Sequence, residues 1–345
     1  MDQSRTTYAL VGDRRGKVKS ADMDPEEHEE DNARTVDIPD FKRKVATDDV
    51  YTLTATSEDM AGNSTSVSKT FSVNRFGSTY LFSAGTSSIR GAYLKKAVPV
   101  AVTELNVSGI DWGKSAIRLA KDGSIHAVPG SDYRIVDDSD NGWSKRTYEI
   151  PARVFNGDGY YRLMLTSTDR AGNLSENTMQ HKDAKRKGDA SVNFAVDSQA
   201  PTASALGVAS NRVYYGQRHS VGIDAKDNMK VRSARIDVDD RTQGRWSGDE
   251  LLRGTQSIDL PADAHEHTVT VRTEDAAGNI SSTTYQGVVV ASDWWQYIRE
   301  NGLLFVLVIC LGILMVLAAL ILAALIVRRH AEMAYRRNPF GRQER

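Results

Sequence analysis

Apolar residues recur at every second position in many short stretches of this chain, with polar residues between them. In three places such a stretch is followed by the five-residue pattern Asp-x-Ala-Gly-Asn and then by a second alternating stretch. Alternation with a period of two is typical of a strand with one buried face, and two such strands joined by a short Gly- and Asn-containing segment form a β-hairpin. The sequence therefore predicts three hairpins, with turns at Asp59–Asn63, Asp169–Asn173 and Asp275–Asn279.

The spacing of these turns indicates tandem modules. The turns begin 110 and 106 residues apart, and an aliphatic residue followed by proline precedes each hairpin, at Ile38-Pro39, Ile150-Pro151 and Leu260-Pro261. A fixed period of this size is typical of repeated domains, and proline fits the end or edge of a strand because it lacks a backbone N–H. We therefore predict modules at residues 1–76, 77–198 and 199–292, of which the first lacks much of its N-terminal part.

The turn residues have a structural and a metal-binding interpretation. Each aspartate is in phase with the apolar positions, so we expect Asp59, Asp169 and Asp275 to end their strands on the core side and to accept backbone N–H bonds from the turn. The following residues tolerate the positive φ that a tight turn needs: Gly62, Asn63, Gly172, Asn173, Gly278 and Asn279. The alternative is a Ca²⁺ ligand, although one carboxylate per turn is few for calcium.

This pattern, an aromatic-x-Leu strand, then D-x-A-G-N, then an F-x-V strand, resembles the last hairpin of bacterial immunoglobulin-like domains. The segments Phe71–Gly77 and Val196–Thr202 also resemble the borders between such modules. The resemblance covers residues 36–291 and implies an all-β fold of tandem Ig-like β-sandwiches, as found in large bacterial surface proteins. It implies little about function, because this fold carries many unrelated roles.

Alternation and turn signals also predict the strands of the second and third modules. In the second module they are Val98–Val107, Ser115–Leu119, Tyr133–Val136, Arg146–Ile150, Tyr160–Thr166 and Ser191–Val196. In the third they are Arg212–Tyr215, Ser220–Asp224, Val231–Asp237, Ser257–Leu260, His267–Glu274 and Thr283–Val290. Several short strands at this spacing are typical of a sandwich. We expect Trp143 to pack in the second module, with sugar stacking as the alternative.

Two loops of the second module are candidate binding sites. Asp137, Asp138 and Asp140 form a carboxylate-rich segment that does not fit the EF-hand pattern, so we interpret it as a turn, with Ca²⁺ binding as the alternative. The stretch 181–187 has no counterpart in the other repeats. It carries Lys182, Lys185, Arg186 and Lys187, and we interpret it as a solvated insertion, with contact to anionic cell-wall polymers as the alternative.

The C-terminal part predicts a membrane anchor. Residues 303–327 are uninterrupted apolar or small residues, and as a helix they would span about 37 Å, enough to cross an apolar layer of about 30 Å. The preceding segment 293–302 contains Trp294, Trp295 and Tyr297, which are typical of the membrane interface. The tail 328–345 is rich in arginine, so the positive-inside rule places the C-terminus in the cytoplasm and the modules outside.

The N-terminal part shows no matching export signal. Residues 1–25 contain no apolar run of the roughly 7–15 residues that a signal peptide needs. We therefore expect the sequence to be the C-terminal part of a longer surface protein or to carry a misplaced start. The only cysteine is Cys310, within the apolar segment, so the modules must be stable without disulfide bonds.

These observations favour a structural role over catalysis. The formal net charge is −1, which gives no bias towards nucleic acid. The sequence contains none of the common hydrolase, zincin or nucleotide-binding motifs, and His265 and His267 would supply only two ligands to a metal. We predict no catalytic residue and no cofactor. The first hypothesis is a stalk that presents an upstream head, anchored in the bilayer through Leu303–Val327. The alternative is an adhesin that contacts a glycan, cell wall or host protein through loops 137–143 and 181–187.

Overall fold

The computed structural model describes residues 5–23, 38, 41–140, 142–178, 190–263 and 265–337. The chain divides into two compact units, Met1–Ser198 and Gln199–Arg345. Each unit is built from mainly antiparallel β-sheets, and the second also contains the long C-terminal helix. The border between the units lies where the sequence predicts the start of the third module.

The first unit begins with a single four-stranded sheet. Its strands are β1 (Arg5–Gly12), β2 (Gly16–Asp22), β3 (Asp49–Glu58) and β4 (Ser64–Val73), in the order β2-β1-β3-β4. The β3–β4 pair is the first predicted hairpin, with Glu58 opposite Ser64. Strand β2 was not predicted, because its polar sequence lies on an exposed sheet edge and carries no apolar alternation.

The two faces of this sheet differ in polarity. One face buries Tyr8, Leu10 and Tyr51, and the Tyr51 ring lies 4.9 Å from Phe41 and 5.7 Å from Phe71. The other face carries a ladder of Thr and Ser hydroxyl pairs along β3 and β4. Such alternation is what the sequence pattern of a half-buried sheet requires. Within the described part of residues 5–73, this sheet has no second sheet packed against it as in a sandwich.

The second module of the first unit is a complete sandwich. Its elements are β5 (Thr79–Phe82), α1 (Ala84–Ile89), β6 (Tyr93–Leu94), β7 (Val100–Asn106), β8 (Ala116–Lys121), β9 (Ser124–Ala127), β10 (Arg134–Asp140), β11 (Trp143–Ile150), β12 (Gly159–Thr168), β13 (Leu174–Glu176) and β14 (Val192–Val196). The sheets have the orders β10-β11-β7-β5 and β6-β14-β12-β8-β9, with β13 also paired to β12. The short β6 pairs parallel to the last strand, whereas the other pairs are antiparallel. This strand order is immunoglobulin-like.

The core of this sandwich comes from the alternating residues of both sheets. Buried side chains include Val100, Val102, Ile117, Leu119, Tyr148, Ile150, Phe155, Tyr161, Leu163, Leu165, Phe194 and Val196. Phe155 and Phe194 contact edge to face with ring centroids 5.0 Å apart. Burial of apolar surface on this scale is the main stabilising contribution available to a domain without disulfides.

The last strand of the second module is interrupted, and one side chain fills the gap. Asn177 follows β13 and is 1% exposed. Its Oδ1 accepts the Leu165 N–H at 2.7 Å, and its Nδ2 donates to the carbonyls of Leu163 at 3.2 Å and Ala190 at 2.9 Å. The side-chain amide thus takes the place of a backbone peptide between β13 and β14. The described residues Asn177 and Ala190, which flank the predicted insertion, are therefore linked to each other through this amide, and Asn177 is bonded to β12.

The second unit contains the third module, which is also a sandwich. Its elements are β15 (Thr202–Leu206), β16 (Arg212–Tyr215), β17 (Arg218–Lys226), β18 (Val231–Val238), β19 (Arg241–Ser247), α2 (Gly248–Leu252), β20 (Gln256–Pro261), β21 (His267–Asp275) and β22 (Ile280–Ala291). The sheets are β15-β17-β20 and β16-β22-β21-β18-β19, and β16 pairs parallel to β22. The core includes Val221, Ile236, Leu260, Val269, Val271, Val288 and Val290. The all-β, Ig-like prediction is confirmed.

Two helices end the described chain. Helix α3 (Trp294–Glu300) is capped at its N-terminus by Asp293, whose carboxylate accepts the Gln296 N–H at 2.8 Å. The helical path is interrupted at Asn301, and α4 (Gly302–Arg337) follows. Residues 302–334 have a mean hydropathy of 3.3 in their most apolar part, so α4 is long and apolar enough to cross a membrane. It contains the predicted segment 303–327.

Candidate functional site

The three D-x-A-G-N turns have the same hydrogen bonds. In each, the aspartate N–H donates to the asparagine carbonyl at 2.9–3.0 Å, and the glycine N–H donates to the aspartate carbonyl at 3.0–3.2 Å. The asparagine donates twice to the aspartate carboxylate, from its backbone N–H at 2.7–2.9 Å and from its side-chain amide at 2.8–2.9 Å. The glycines have φ values of 84°, 85° and 88°. Five residues therefore encode one turn geometry three times.

The surroundings of the turns differ. Asp59 is exposed, and the hydrogen bond from the Asn63 side chain lowers the pKa of its carboxyl group, helped by the Asn63 backbone N–H. Asp169 is 4% exposed and Asp275 is 0% exposed. The expectation that the turn aspartate faces the core thus describes the second and third turns and not the first.

The second turn holds the junction between β4 and β5, which we define as Asn74–Ser78. The Asn74 side-chain amide donates to Asp169 Oδ2 at 2.8 Å and to Ser108 Oγ at 2.8 Å. The Asn74 Oδ1 accepts the Gly77 N–H at 3.2 Å, which fixes the orientation of the amide. In return, Asn173 Nδ2 donates to the Asn74 carbonyl at 3.2 Å. The turn and the incoming chain are therefore linked in both directions.

The same contact recurs in the third module, where Asn279 Nδ2 donates to the carbonyl of Gln199, in the segment that enters that module, at 3.1 Å. The turn asparagine thus binds the chain that enters its own module in both complete sandwiches. The sequence predicts the turn but not this second role, because the role depends on contacts between residues that lie 99 and 80 positions apart in the chain.

The carboxylate of Asp169 is surrounded by N–H donors. It accepts hydrogen bonds from Asn173 N, Asn173 Nδ2, Asn74 Nδ2 and Asn106 Nδ2, at 2.8–3.1 Å. A calcium ion at this carboxylate would have to displace these donors, because calcium binds oxygen lone pairs. The arrangement therefore favours the structural interpretation of this turn.

Two further aspartates attach the first sheet to the second module. Asp48 Oδ2 accepts the N–H groups of Arg75 at 2.8 Å and Phe76 at 3.1 Å. Asp49 accepts the Trp143 indole N–H at 2.9 Å and, on its other oxygen, the Arg14 and Arg15 N–H groups. Trp143 is 7% exposed, and the Arg14 guanidinium lies 4.1 Å from its ring centroid. Trp143 is therefore a packing residue, as expected, and it packs between the first sheet and the second module. No face of its ring is open to a sugar.

The acidic segment of the second module is a strand rather than a loop. The turn interpretation is wrong for Asp137–Asp140, because β10 runs through Asp140 and pairs in register with β11. The sequence misses this because three carboxylates in a row of five residues resemble a turn, whereas here they lie beside basic side chains that offset their charge. The ion pairs are Asp137 with Arg146 at 2.9 Å, Asp138 with Lys145 at 3.6 Å and Asp140 with Arg14 at 2.9 Å. Calcium binding at this segment stays a prediction.

The basic residues Lys182, Lys185, Arg186 and Lys187 lie outside the described residues. Their role as a binding loop therefore also stays a prediction.

The two histidines of the third module do not share a face. His265 precedes β21 and its side chain is 82% exposed, whereas the His267 side chain is 9% exposed. His267 Nδ1 lies 2.7 Å from Asp239 Oδ2, and its Nε2 lies 3.0 Å from Asp263 Oδ1. Burial alone would lower the pKa of His267, but the two carboxylates outweigh burial and raise it. His267 thus ties two loops together at one end of the sandwich.

A buried glutamate escaped the sequence analysis. Glu104 is 0% exposed and accepts the Tyr148 hydroxyl at 2.7 Å and the Ser167 hydroxyl. Burial, followed by the nearby Glu104 charge, raises the pKa of Tyr148. The signal was present, because Glu104 is in phase with Val100 and Val102 on the core side of β7. The satisfied carboxylate fixes the packing of the core rather than forming an open reactive site.

The fold and these contacts define an all-β protein of immunoglobulin-like sandwiches with a C-terminal helix that could cross a membrane. Comparisons with protein-family models and with curated proteins find no match. Among solved structures, a GspB Siglec domain is similar at 15% identity and a TM-score of 0.23, covering 39% of this chain and 64% of that one. A marsupial T cell receptor matches at 11% identity and a TM-score of 0.32, covering 63% of this chain and 74% of that one.

A complex of Dpr2 Ig1-Ig2 with DIP-Theta Ig1-Ig3 is also similar, at 7% identity and a TM-score of 0.26. It covers 83% of this chain and 89% of that one. At such low TM-scores these likenesses carry no functional argument. The fold assignment therefore rests on the strand order of the two sandwiches, including the parallel pairing of a short strand with the last strand in each.

Proposed function

We propose that this chain is a non-catalytic stalk and anchor of a bacterial cell surface, in which Ig-like modules hold an upstream head away from the membrane. The observation that carries this proposal is the path of the chain at the end of the third module. Strand β22 ends at Ala291, α3 begins at Trp294, and the apolar helix α4 follows at Gly302. A packed sandwich thus continues within about ten residues into a helix of membrane-spanning length.

The contacts at the junction Asn74–Ser78 support the mechanical part of this proposal. A stalk needs modules that do not swing freely, and flexible linkers normally allow such motion. Here the first sheet and the second module are joined through the hydrogen bonds of Asp48, Asp49 and Asn74, and Val50 packs with Leu105, Val107 and Trp143. Force applied to one would therefore pass to the other through several bonds in parallel.

Thiol labelling of the full chain in intact bacterial cells tests the orientation. Two single-cysteine variants in a Cys310→Ser background would carry Leu252→Cys in the exposed α2 or Arg345→Cys at the C-terminus. A membrane-impermeant maleimide should label Leu252→Cys in intact cells and Arg345→Cys only after permeabilisation. Labelling of Arg345→Cys alone in intact cells would contradict the proposal, and labelling of both after lysis controls for reactivity.

One observation favours the second candidate function, adhesion. The outer face of the sheet β6-β14-β12-β8-β9 contains an open groove of about 570 Å³. Tyr160 and Ile125 line it and are 48% and 60% exposed, and the Arg162 side chain also lines it. Exposed aromatic and apolar groups beside a cation are typical of a ligand surface. The described residues that flank the insertion with Lys182 belong to this sheet region, because Asn177 bonds to β12 and Ala190 precedes β14.

Binding of the full chain in nanodiscs to a panel of glycans and cell-wall polymers tests this candidate. An adhesin should bind one class of ligand, and Arg162→Ala should weaken that binding at least tenfold. The matched control is Arg118→Ala, on the neighbouring strand but outside the groove, which should leave affinity unchanged. Equal effects of the two variants, or no binding, would contradict adhesion through this groove.

A further inference from the structure

Three aromatic rings form a cluster at the end of the third module. Tyr215 ends β16, and its ring lies 6.0 Å from Trp294 and 5.8 Å from Tyr297 of α3. Trp294 and Tyr297 are stacked with ring centroids 5.7 Å apart. The cluster therefore joins a strand of the sandwich to the helix that leads into α4, across about 80 residues of sequence.

The cluster is packed on its inner side and open on its outer side. Ile298 of α3 is 4% exposed and lies towards the sandwich, whose strands β16 and β22 contact α3. Tyr215, Trp294 and the adjacent Trp295 are 58%, 59% and 63% exposed. Large aromatic residues seldom gather on the surface of a module without a partner. We define Tyr215, Trp294 and Trp295 as the aromatic patch.

The position of the patch indicates what covers it. Tyr215 pairs directly with Ala291, the last residue of β22, so the patch lies at the end of the sandwich from which the helices leave. From Trp294 to Gly302 the chain is eight residues long, a distance of about 12 Å as a helix. The interruption at Asn301 separates α3 from α4, so α3 can follow the sandwich while α4 follows the membrane normal.

We propose that the aromatic patch is a membrane-contact surface, in which Tyr215, Trp294 and Trp295 lie in the headgroup region of the bilayer. The proposal rests on α4 being the membrane anchor, and it adds that the third module is docked on the lipid rather than tethered above it. Tyr and Trp suit this region because one end of each ring is apolar and the other is polar. Two attachments, the helix and the patch, hold the orientation of the module where the helix alone would let it tilt.

A phospholipid interface fits the patch better than a protein partner does. Trp294 and Trp295 are joined to the apolar helix α4 by the rest of α3 and Asn301, and the Tyr215 ring contacts Trp294. A separate protein would have to bind in the layer that lipid headgroups already occupy. The Tyr215 side chain is the informative member, since it belongs to the sandwich and its position is not set by the helix.

Spin labels on the full chain in phosphatidylcholine nanodiscs test the proposal. In a Cys310→Ser background, nitroxides are placed at Tyr215→Cys, at Trp295→Cys or at the control Leu252→Cys. Leu252 is 87% exposed in α2, which follows the last residue of β19, Ser247. Ser247 pairs with Ser233 near the start of β18, and the start of β18 pairs with Asp275. Leu252 therefore lies at the end of the sandwich that carries the Asp275–Asn279 turn, opposite to the end that carries Tyr215. Collision rates with oxygen, which concentrates in lipid, and with a water-soluble nickel chelate are then compared for each label.

The labels at Tyr215→Cys and Trp295→Cys should collide severalfold more with oxygen than with nickel, relative to Leu252→Cys. Trp295→Cys leaves the three-ring cluster intact, so it reports on the surface even where loss of Tyr215 disturbs it. A fourth label on the native Cys310 distinguishes a wrong docking proposal from a wrong assignment of α4 as the membrane anchor. If Cys310 lies in lipid but the other labels lie in water, the docking proposal is wrong and the anchor stands. If Cys310 also lies in water, both are wrong.

Discussion

The turn in the first sheet and the turn in the second module have the same local structure but different neighbours. Both close with the same four hydrogen bonds, and their glycines differ by one degree in φ. Asp59 nevertheless stands exposed at the tip of a hairpin, whereas Asp169 is buried and also accepts bonds from Asn74 and Asn106. Turn geometry is thus set by five adjacent residues, while the energetic weight of each residue depends on distant parts of the chain.

This difference predicts that, among the turn residues, the two aspartates differ most in how much their replacement by alanine destabilises the protein. Asp169→Ala would remove the acceptor that the side-chain amides of Asn74, Asn106 and Asn173 share, of which Asn106 is fully buried. This loss should destabilise the first unit by about 3 kcal/mol. Asp59→Ala removes an exposed carboxylate and should lower stability only slightly. Denaturant unfolding of the full chain in detergent, followed by hydrogen exchange of amides in β7 and β12, measures both. Equal effects would mean that burial of the second turn adds nothing.

Asn74→Ala should remove the contacts between the second turn and the junction Asn74–Ser78, which the first turn lacks. It removes the donor to Asp169 Oδ2 and the acceptor for the Gly77 N–H, while the turn keeps its own four bonds. We expect a loss of about 1–2 kcal/mol, because some of the freed groups can bind water. Hydrogen exchange should show faster exchange at Gly77 and Ser78 but unchanged protection at Asn173. Faster exchange at Asn173 would show that the turn itself depends on the junction.

Replacement of Gly62 and of Gly172 by alanine should destabilise the two turns equally. A Cβ added at Gly62 or Gly172 would meet nothing within 4 Å, so both positions carry only the cost of a left-handed backbone. Gly62→Ala and Gly172→Ala should therefore each destabilise their hairpin by about 1–2 kcal/mol. The measurement is the protection of Asn63 and Asn173 amides against exchange. A much larger effect at Gly172 would contradict the view that the turns are locally equivalent.

The sequence predicts well what depends on nearby residues. The hairpins, the strand β16 and the apolar helix follow from alternation, turn chemistry and the length of an apolar run. The prediction fails for exposed edge strands such as β2 and β19, whose polar residues carry no alternation. It also fails for Asn74 and Asn177, since an asparagine that binds the backbone of a distant strand has no local signature. The long-range contacts of the candidate site therefore could not be predicted from the sequence, although its turn could.

The smallest expected effect concerns the titration of Asp59. The Asn63 side chain stabilises the charged carboxylate and lowers its pKa below the ordinary value of 3.8, so Asn63→Ala should raise this pKa towards 3.8. A depressed folded-state pKa contributes stability that is present above the unfolded value and is lost as the pH falls through the folded value. The first hairpin should therefore loosen only below about pH 4, and the variant should show a weaker dependence, because the backbone N–H groups of the turn still lower the pKa of Asp59. Carboxyl-carbon NMR of aspartate-labelled chain measures the pKa directly. Because Asp59 is exposed, its pKa shift reports the hydrogen bonds of the turn without the effect of burial that is present at Asp169. An unchanged pKa of Asp59 in the variant would show that the Asn63 side-chain amide does not bind this carboxylate in solution.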